Sequence, residues 1–158
     1  MKYIKNIFII SISLLICSAF LYTQSLTENS LPLKAKNFIN LNFPGNNIET
    51  VSLYQGGGGY EADIDLGYHF VFYHTGLWKK ITAVTDEAKI QGIPRSSIHK
   101  SMVNVIDSEY PLSKITDIER RDKVFIIVLD DKYQLEISGY GIIINTTVLD
   151  NEEENMEE

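Results

Sequence analysis

Apolar residues recur along this chain with two periods, and the period switches after each of two proline-marked segments. Leu31, Ala35, Phe38 and Ile39 stand at i, i+4, i+7 and i+8, one face of a helix. Pro32 suits a first helical turn, and Phe43-Pro44-Gly45 closes the segment. Ile98, Met102, Val105 and Ile106 form the same face again, from a start near Pro94 to a stop at Tyr110-Pro111. After each helix the period becomes two. Tyr60, Ala62, Ile64 and Leu66 alternate with Glu61, Asp63 and Asp65, and Phe70 and Phe72 continue the apolar side. One face of such a strand is buried and the other solvated. This alternation predicts strands near 47–55, 59–66, 68–74 and 77–84, then near 113–120, 123–130, 132–138 and 141–148. The short turns between them predict an antiparallel meander, and residues 85–92 read as a link.

The two halves also match one another. Residues 31–52 align with 98–119 without a gap, and 60–80 align with 125–145. The fold class expected is therefore α+β: a tandem repeat of helix plus four-stranded antiparallel meander, spanning 31–84 and 93–148. The two copies would form one curved sheet with both helices on one face. Either copy alone is too small to bury an adequate core, so a shared one is predicted.

The spacing of Leu31-Pro32, Phe43-Pro44-Gly45, Tyr60-Glu61 and Gly76 followed by Trp78-Lys79 resembles the PepSY-like, beta-lactamase-inhibitor-like family of exported bacterial proteins. The resemblance covers residues 31–146. It implies two helix-plus-four-strand units in one sheet and brings no catalytic residues with it. The second half departs from the pattern, with His99 at the position of Pro32, Leu112 at that of Gly45 and Ile143 at that of Trp78. The family name reflects likeness of fold to an inhibitor, which is not an activity.

Composition changes this picture mainly at the two ends. Lys2 and Lys5 precede the weakly polar to apolar stretch Ile7–Tyr22, the pattern of an export signal, with cleavage expected near 19 or 25. The stretch is short for a membrane span. The mature protein is thus expected to be exported, periplasmic or secreted. Cys17 is the only cysteine, so no disulfide framework is expected, and lipid anchoring through it is the lesser alternative because Ile16 is large for a lipobox. Net charge is −7, and the last residues, 149–158, read as an acidic disordered tail. No basic stripe is present, which argues against nucleic acid as a partner.

Several constellations invite chemistry. Gly56–Gly59 lacks the following helix and the Lys-Ser/Thr pair of a phosphate loop and reads as a hairpin turn. His69, His74 and His99 do not converge on a metal or catalytic site. Glu61, Asp63 and Asp65 line the outward side of one strand, a solvated acidic face or a weak cation site, although neighbours at i and i+2 stand nearly 7 Å apart. At the aligned positions Ile126 and Val128 are apolar, with Val124 beside them, and Val71 and Tyr73 face the same way. Two readings stay open here: an exposed apolar interaction patch, or a central strand covered on both faces. Trp78 is expected to pack in the core or at its rim. Asn145-Thr146-Thr147 matches a glycosylation acceptor of little meaning in a bacterial exported protein.

The functional expectation is a non-enzymatic exported binding module without cofactor. It would hold another exported or envelope protein through Val71, Tyr73, Val124, Ile126 and Val128 and exist as a monomer. The alternative is an envelope protein binding a small ligand or cation at Glu61, Asp63 and Asp65.

Overall fold

The computed structural model describes residues 26–149, and strands dominate it. A single 3₁₀ turn (Glu28–Ser30) leads into helix α1 (Leu33–Asn42) and strands β1 (Ile48–Leu53), β2 (Gly59–Ile64), β3 (Tyr68–Tyr73) and β4 (Trp78–Ala83). Helix α2 (Asp86–Gln91), a 3₁₀ turn (Arg95–Ser97) and helix α3 (Lys100–Glu109) come next. The chain ends with β5 (Ile115–Arg121), β6 (Val124–Leu129), β7 (Tyr133–Ser138) and β8 (Ile143–Val148). The export segment with Cys17 and the acidic residues after Leu149 lie outside the described residues. Among those described, no helix is long and apolar enough to cross a membrane.

The strands form one eight-stranded antiparallel sheet in the order β1 to β8. This corrects the expected α+β class built from tandem helix-plus-meander units. The ladder does not break between the halves: β4 pairs with β5 through Lys80↔Glu119, Ile81↔Ile118 and Thr82↔Asp117. The structural unit is the whole sheet, accompanied by three short helices of 10, 6 and 10 residues. One of these, α2, forms where a link was expected. Thr85 caps it by accepting a 3.2 Å hydrogen bond from the Ala88 amide, and Asp86 and Glu87 favour its positive end.

One face of the sheet holds the core. Phe70, Ile81, Ile118, Ile127 and Leu135 pack there with Ala35 and Ile39 of α1, Ala88 of α2 and Met102 and Ile106 of α3. Phe43, just past α1, meets Tyr68 and Phe70 edge-on at 4.9 and 5.0 Å between ring centroids. The Tyr68 hydroxyl is enclosed and donates to the Gly92 carbonyl at 2.8 Å, which ties β3 to the end of α2, and burial raises its pKa. Two turn glycines let the helices sit close. Gly76 (φ +77°) lies under α1, where an added Cβ would meet Pro32 at 2.9 Å, and Gly141 (φ +81°) lies under the Ser101 carbonyl of α3.

The two sheet edges differ. Leu26 bridges to Val51 and covers part of β1. Among the described residues nothing pairs with the outer edge of β8.

Candidate functional site

The helices leave the other face of the sheet open, and strand register arranges its side chains in transverse rows. One row runs Thr50, Asp63, His69, Thr82, Asp117, Val128, Gln134, Thr147 from β1 to β8. The next runs Ser52, Glu61, Val71, Lys80, Glu119, Ile126, Glu136, Asn145. Tyr73, Arg121 and Val124 lie toward the hairpin tips of β3, β5 and β6. These rows place all five predicted binding residues on one face. They are not equally open: Val71 is 5% and Ile126 9% exposed, whereas Tyr73, Val124 and Val128 are half-buried.

Over the centre of this face lies a cleft of about 360 Å³. Ile126 and Val128 contribute apolar lining, charged groups come from β4, α2, β5 and the β6–β7 turn, and Thr82, Thr116 and Gln134 add neutral polar ones. The cations are all paired. Lys80 Nζ stands 3.1 Å from Asp117 Oδ2, which also accepts from the Thr82 hydroxyl at 2.7 Å. Arg121 Nη2 is 2.7 Å from Glu119, and Lys89 Nζ is 2.9 Å from Asp131. Burial alone would raise the Asp131 pKa, but the Thr116 hydroxyl and the Lys89 ammonium outweigh it and hold the carboxyl below the usual range. The Lys89 ammonium is raised, first by its hydrogen bond to Asp131. The cleft is thus an apolar patch inside a ring of charge pairs of both signs.

The acidic strand is organised differently. Asp63 accepts from the Thr50 hydroxyl and holds His69 Nδ1 at 2.7 Å, while Glu61 accepts from Ser52 at 3.2 Å. Asp65 lies past the end of β2 and accepts from the Asn47 backbone and side chain at 3.1 and 2.9 Å. Each of the three carboxylates therefore has its own protein partner. No group of three or more metal-ligating side chains converges among the described residues. His74 and His99 lie far apart in sequence, in the β3–β4 turn and at the N-cap of α3. Gly56–Gly58 form the β1–β2 turn, closed by the Tyr54 amide donating to the Gly59 carbonyl at 3.1 Å.

Sequence reading missed the charged rim of the cleft. Lys80, Asp117 and Glu119 come together only through the β4–β5 pairing, and Lys89 only through α2. Neither was visible in the alternation of single strands.

The fold and this face define a class: a one-layer antiparallel sheet with short helices against one side and a charged opposite side that the other described residues leave open. No family model matches the chain, and no curated protein matches it. Solved structures do. A protein of the DUF2874 family from Bacteroides vulgatus, proposed to be periplasmic, shares 19% identity over 78% of this chain and 95% of its own, with a TM-score of 0.69. A protein from Bacteroides thetaiotaomicron, proposed to be calcium-regulated and periplasmic, shares 19% identity over 78% of this chain and 94% of its own, also at 0.69. A second Bacteroides vulgatus protein, of unknown function and proposed to be periplasmic, reaches 0.66 at 18% identity, covering 75% of this chain and 93% of its own. At such identities the likeness is one of fold.

Proposed function

We propose that this protein is an exported, non-enzymatic binding module related to the PepSY-like proteins, which holds another envelope or secreted protein on the open face of its sheet. The observation that carries the reading is the central cleft, where Ile126 and Val128 lie within a ring of opposite charges on a face that the described helices leave open. Interfaces of moderate affinity have this anatomy, an apolar centre with a polar rim. Export is supported by the Lys2/Lys5 and Ile7–Tyr22 pattern and agrees with the periplasmic character proposed for the structural neighbours.

The test is capture from envelope extract with the wild-type protein and with a Lys89→Ala, Arg121→Ala, Val128→Ser variant. All three positions are at least partly exposed, so folding should be little affected, as checked by circular dichroism. A partner retained by wild type and released by the folded variant supports the cleft. A partner held equally by both removes the cleft from the reading.

A further inference from the structure

The two long edges of the sheet are finished differently. Leu26 bridges to Val51 and partly closes β1, whereas the outer side of β8 is unpaired among the described residues. The ladder itself shows which groups are left over. The Leu149 amide donates to the Lys132 carbonyl at 2.7 Å, so Leu149 and, by alternation, Thr147 and Asn145 bond inward to β7. Thr146 and Val148 therefore turn their N–H and C=O groups to the open edge. The side chains there are apolar as well: Ile144 and Val148 are each 55% exposed. Ile143–Val148 has no charge and no proline, two of the devices that keep an edge strand single.

Charge gives this edge a direction. Beyond its C-terminal end the chain continues into Asp150 to Glu158, with six acids and no base. Its N-terminal end is a turn set among cations. The Gly139 amide donates to the Lys123 carbonyl at 3.2 Å, and the Ser101 hydroxyl, next to Lys100, donates to the Gly139 carbonyl at 3.3 Å. Lys100 and Lys123 are exposed and form no ion pair among the described residues, with Asp122 the neighbouring acid in sequence. The segment that fits this edge is an uncharged strand that runs antiparallel to β8 and carries acids just after its last residue. β8 is itself such a strand.

We propose that β8 is an interface between two copies of this chain, paired antiparallel about a two-fold axis at Thr146, in place of the monomer expected from sequence. In that register each Thr146 exchanges its outward N–H and C=O with its counterpart. Val148 lies opposite Ile144 of the second copy, so the two exposed apolar groups cover one another. From Asp150 onward each chain runs toward the end of the other where Lys100 and Lys123 stand. Such a pair closes on itself, and the Leu26 bridge opposes the head-to-tail joining of β8 to β1 that would build open chains. A parallel, in-register pair would instead set the two acidic segments side by side. The axis stands perpendicular to the sheet, so both clefts face the same way and can grip a repeated partner together.

Sedimentation velocity of the wild-type protein should show a concentration-dependent dimer. Ile144→Lys puts a charge on the edge and should weaken it by about tenfold or more, with the circular dichroism unchanged because the position is exposed. Reversing both lysines, Lys100→Glu with Lys123→Glu, should weaken it by less, and added salt should weaken the wild-type dimer more than the reversed one. The register is read by Thr146→Cys in a Cys17→Ser background, which removes the native thiol. Residues that exchange both hydrogen bonds across an antiparallel pair stand about 5.5 Å apart between Cα atoms, within disulfide reach, so mild oxidation should link the two chains. Tyr140→Cys, exposed in the turn and away from the axis, should link far more slowly. A wild type that stays monomeric at its highest soluble concentration overturns the proposal. So does a folded Ile144→Lys variant that dimerises as tightly, or a dimer in which Tyr140→Cys links faster than Thr146→Cys.

Discussion

Ile126 and Ile127 are consecutive residues of β6, and they belong to different worlds. Ile127 faces the core, is 0% exposed and packs within the cluster shared with α1 and α3. Ile126 faces the open side at 9% exposure, flanked in its row by Glu119 and Glu136. Both count as covered, yet for different reasons. Ile127 is enclosed by close-packed aromatic and aliphatic groups, whereas Ile126 stands in its row between two charged residues on the face opposite the helices. The first kind of burial holds the fold together.

The contrast is most sharply tested by truncation. Ile127→Ala should destabilise the protein by about 2–5 kcal/mol in urea unfolding, the usual range for a fully enclosed aliphatic side chain. Ile126→Ala should lose roughly 1–2 kcal/mol, between core and surface values. Equal losses at the two positions would break the distinction and make β6 a strand enclosed on both sides.

A smaller effect is expected in acid at the rim of the cleft. The folded Asp131 pKa is depressed, so its contribution is present above the unfolded value of about 4 and is lost as pH falls through the folded one. Between roughly pH 5 and pH 2 the wild type should therefore lose slightly more stability than Asp131→Asn. Asparagine tolerates the positive φ of +53° there, which keeps the comparison fair. Identical acid profiles would show that Lys89 and Asp131 act independently. Smallest of all is the response expected from the acidic strand. With Glu61, Asp63 and Asp65 each occupied by separate neighbours, millimolar Ca²⁺ should move the thermal midpoint by less than about 1 °C. A clear saturable rise would return the cation reading to that strand.

The strands were legible in sequence because alternation reports burial of one face, and Tyr60 to Phe72 alternate cleanly. The outward placement of Val71, Tyr73, Val124, Ile126 and Val128 came from the same parity. The class was misjudged for a related reason: similarity between two segments does not weigh helix against strand, and the eight strands form one sheet beside three short helices rather than two helix-plus-meander units. The order of the strands, joined at the middle by the pairing of Lys80, Ile81 and Thr82 with β5, is likewise not encoded in side-chain pattern. The linking segment hid α2 because six residues are too few for a helical period to emerge, although Thr85 and Gly92 were suitable cap residues. Arg120 stands between Glu119 and Arg121 in a run of strand charges. Only the register opposite Phe125 turns it toward the core.

The edge of β8, unpaired among the described residues, has a consequence for how the protein survives at high concentration. Ile143–Val148 carries no charge and no proline and is rich in β-branched residues, the composition that templates further strands onto itself. Directly C-terminal to it, from Asp150 onward, the chain carries a cluster of carboxylates. Stacking copies in register would bring those like charges together, so at neutral pH electrostatic repulsion guards an edge that geometry leaves open. Acid removes the guard, and fibre growth monitored by thioflavin fluorescence should accelerate below about pH 4, the range where carboxylates are neutralised. Ile144→Lys, which puts a charge on the edge itself, should abolish that acceleration, and a variant that still assembles as fast would place the template elsewhere.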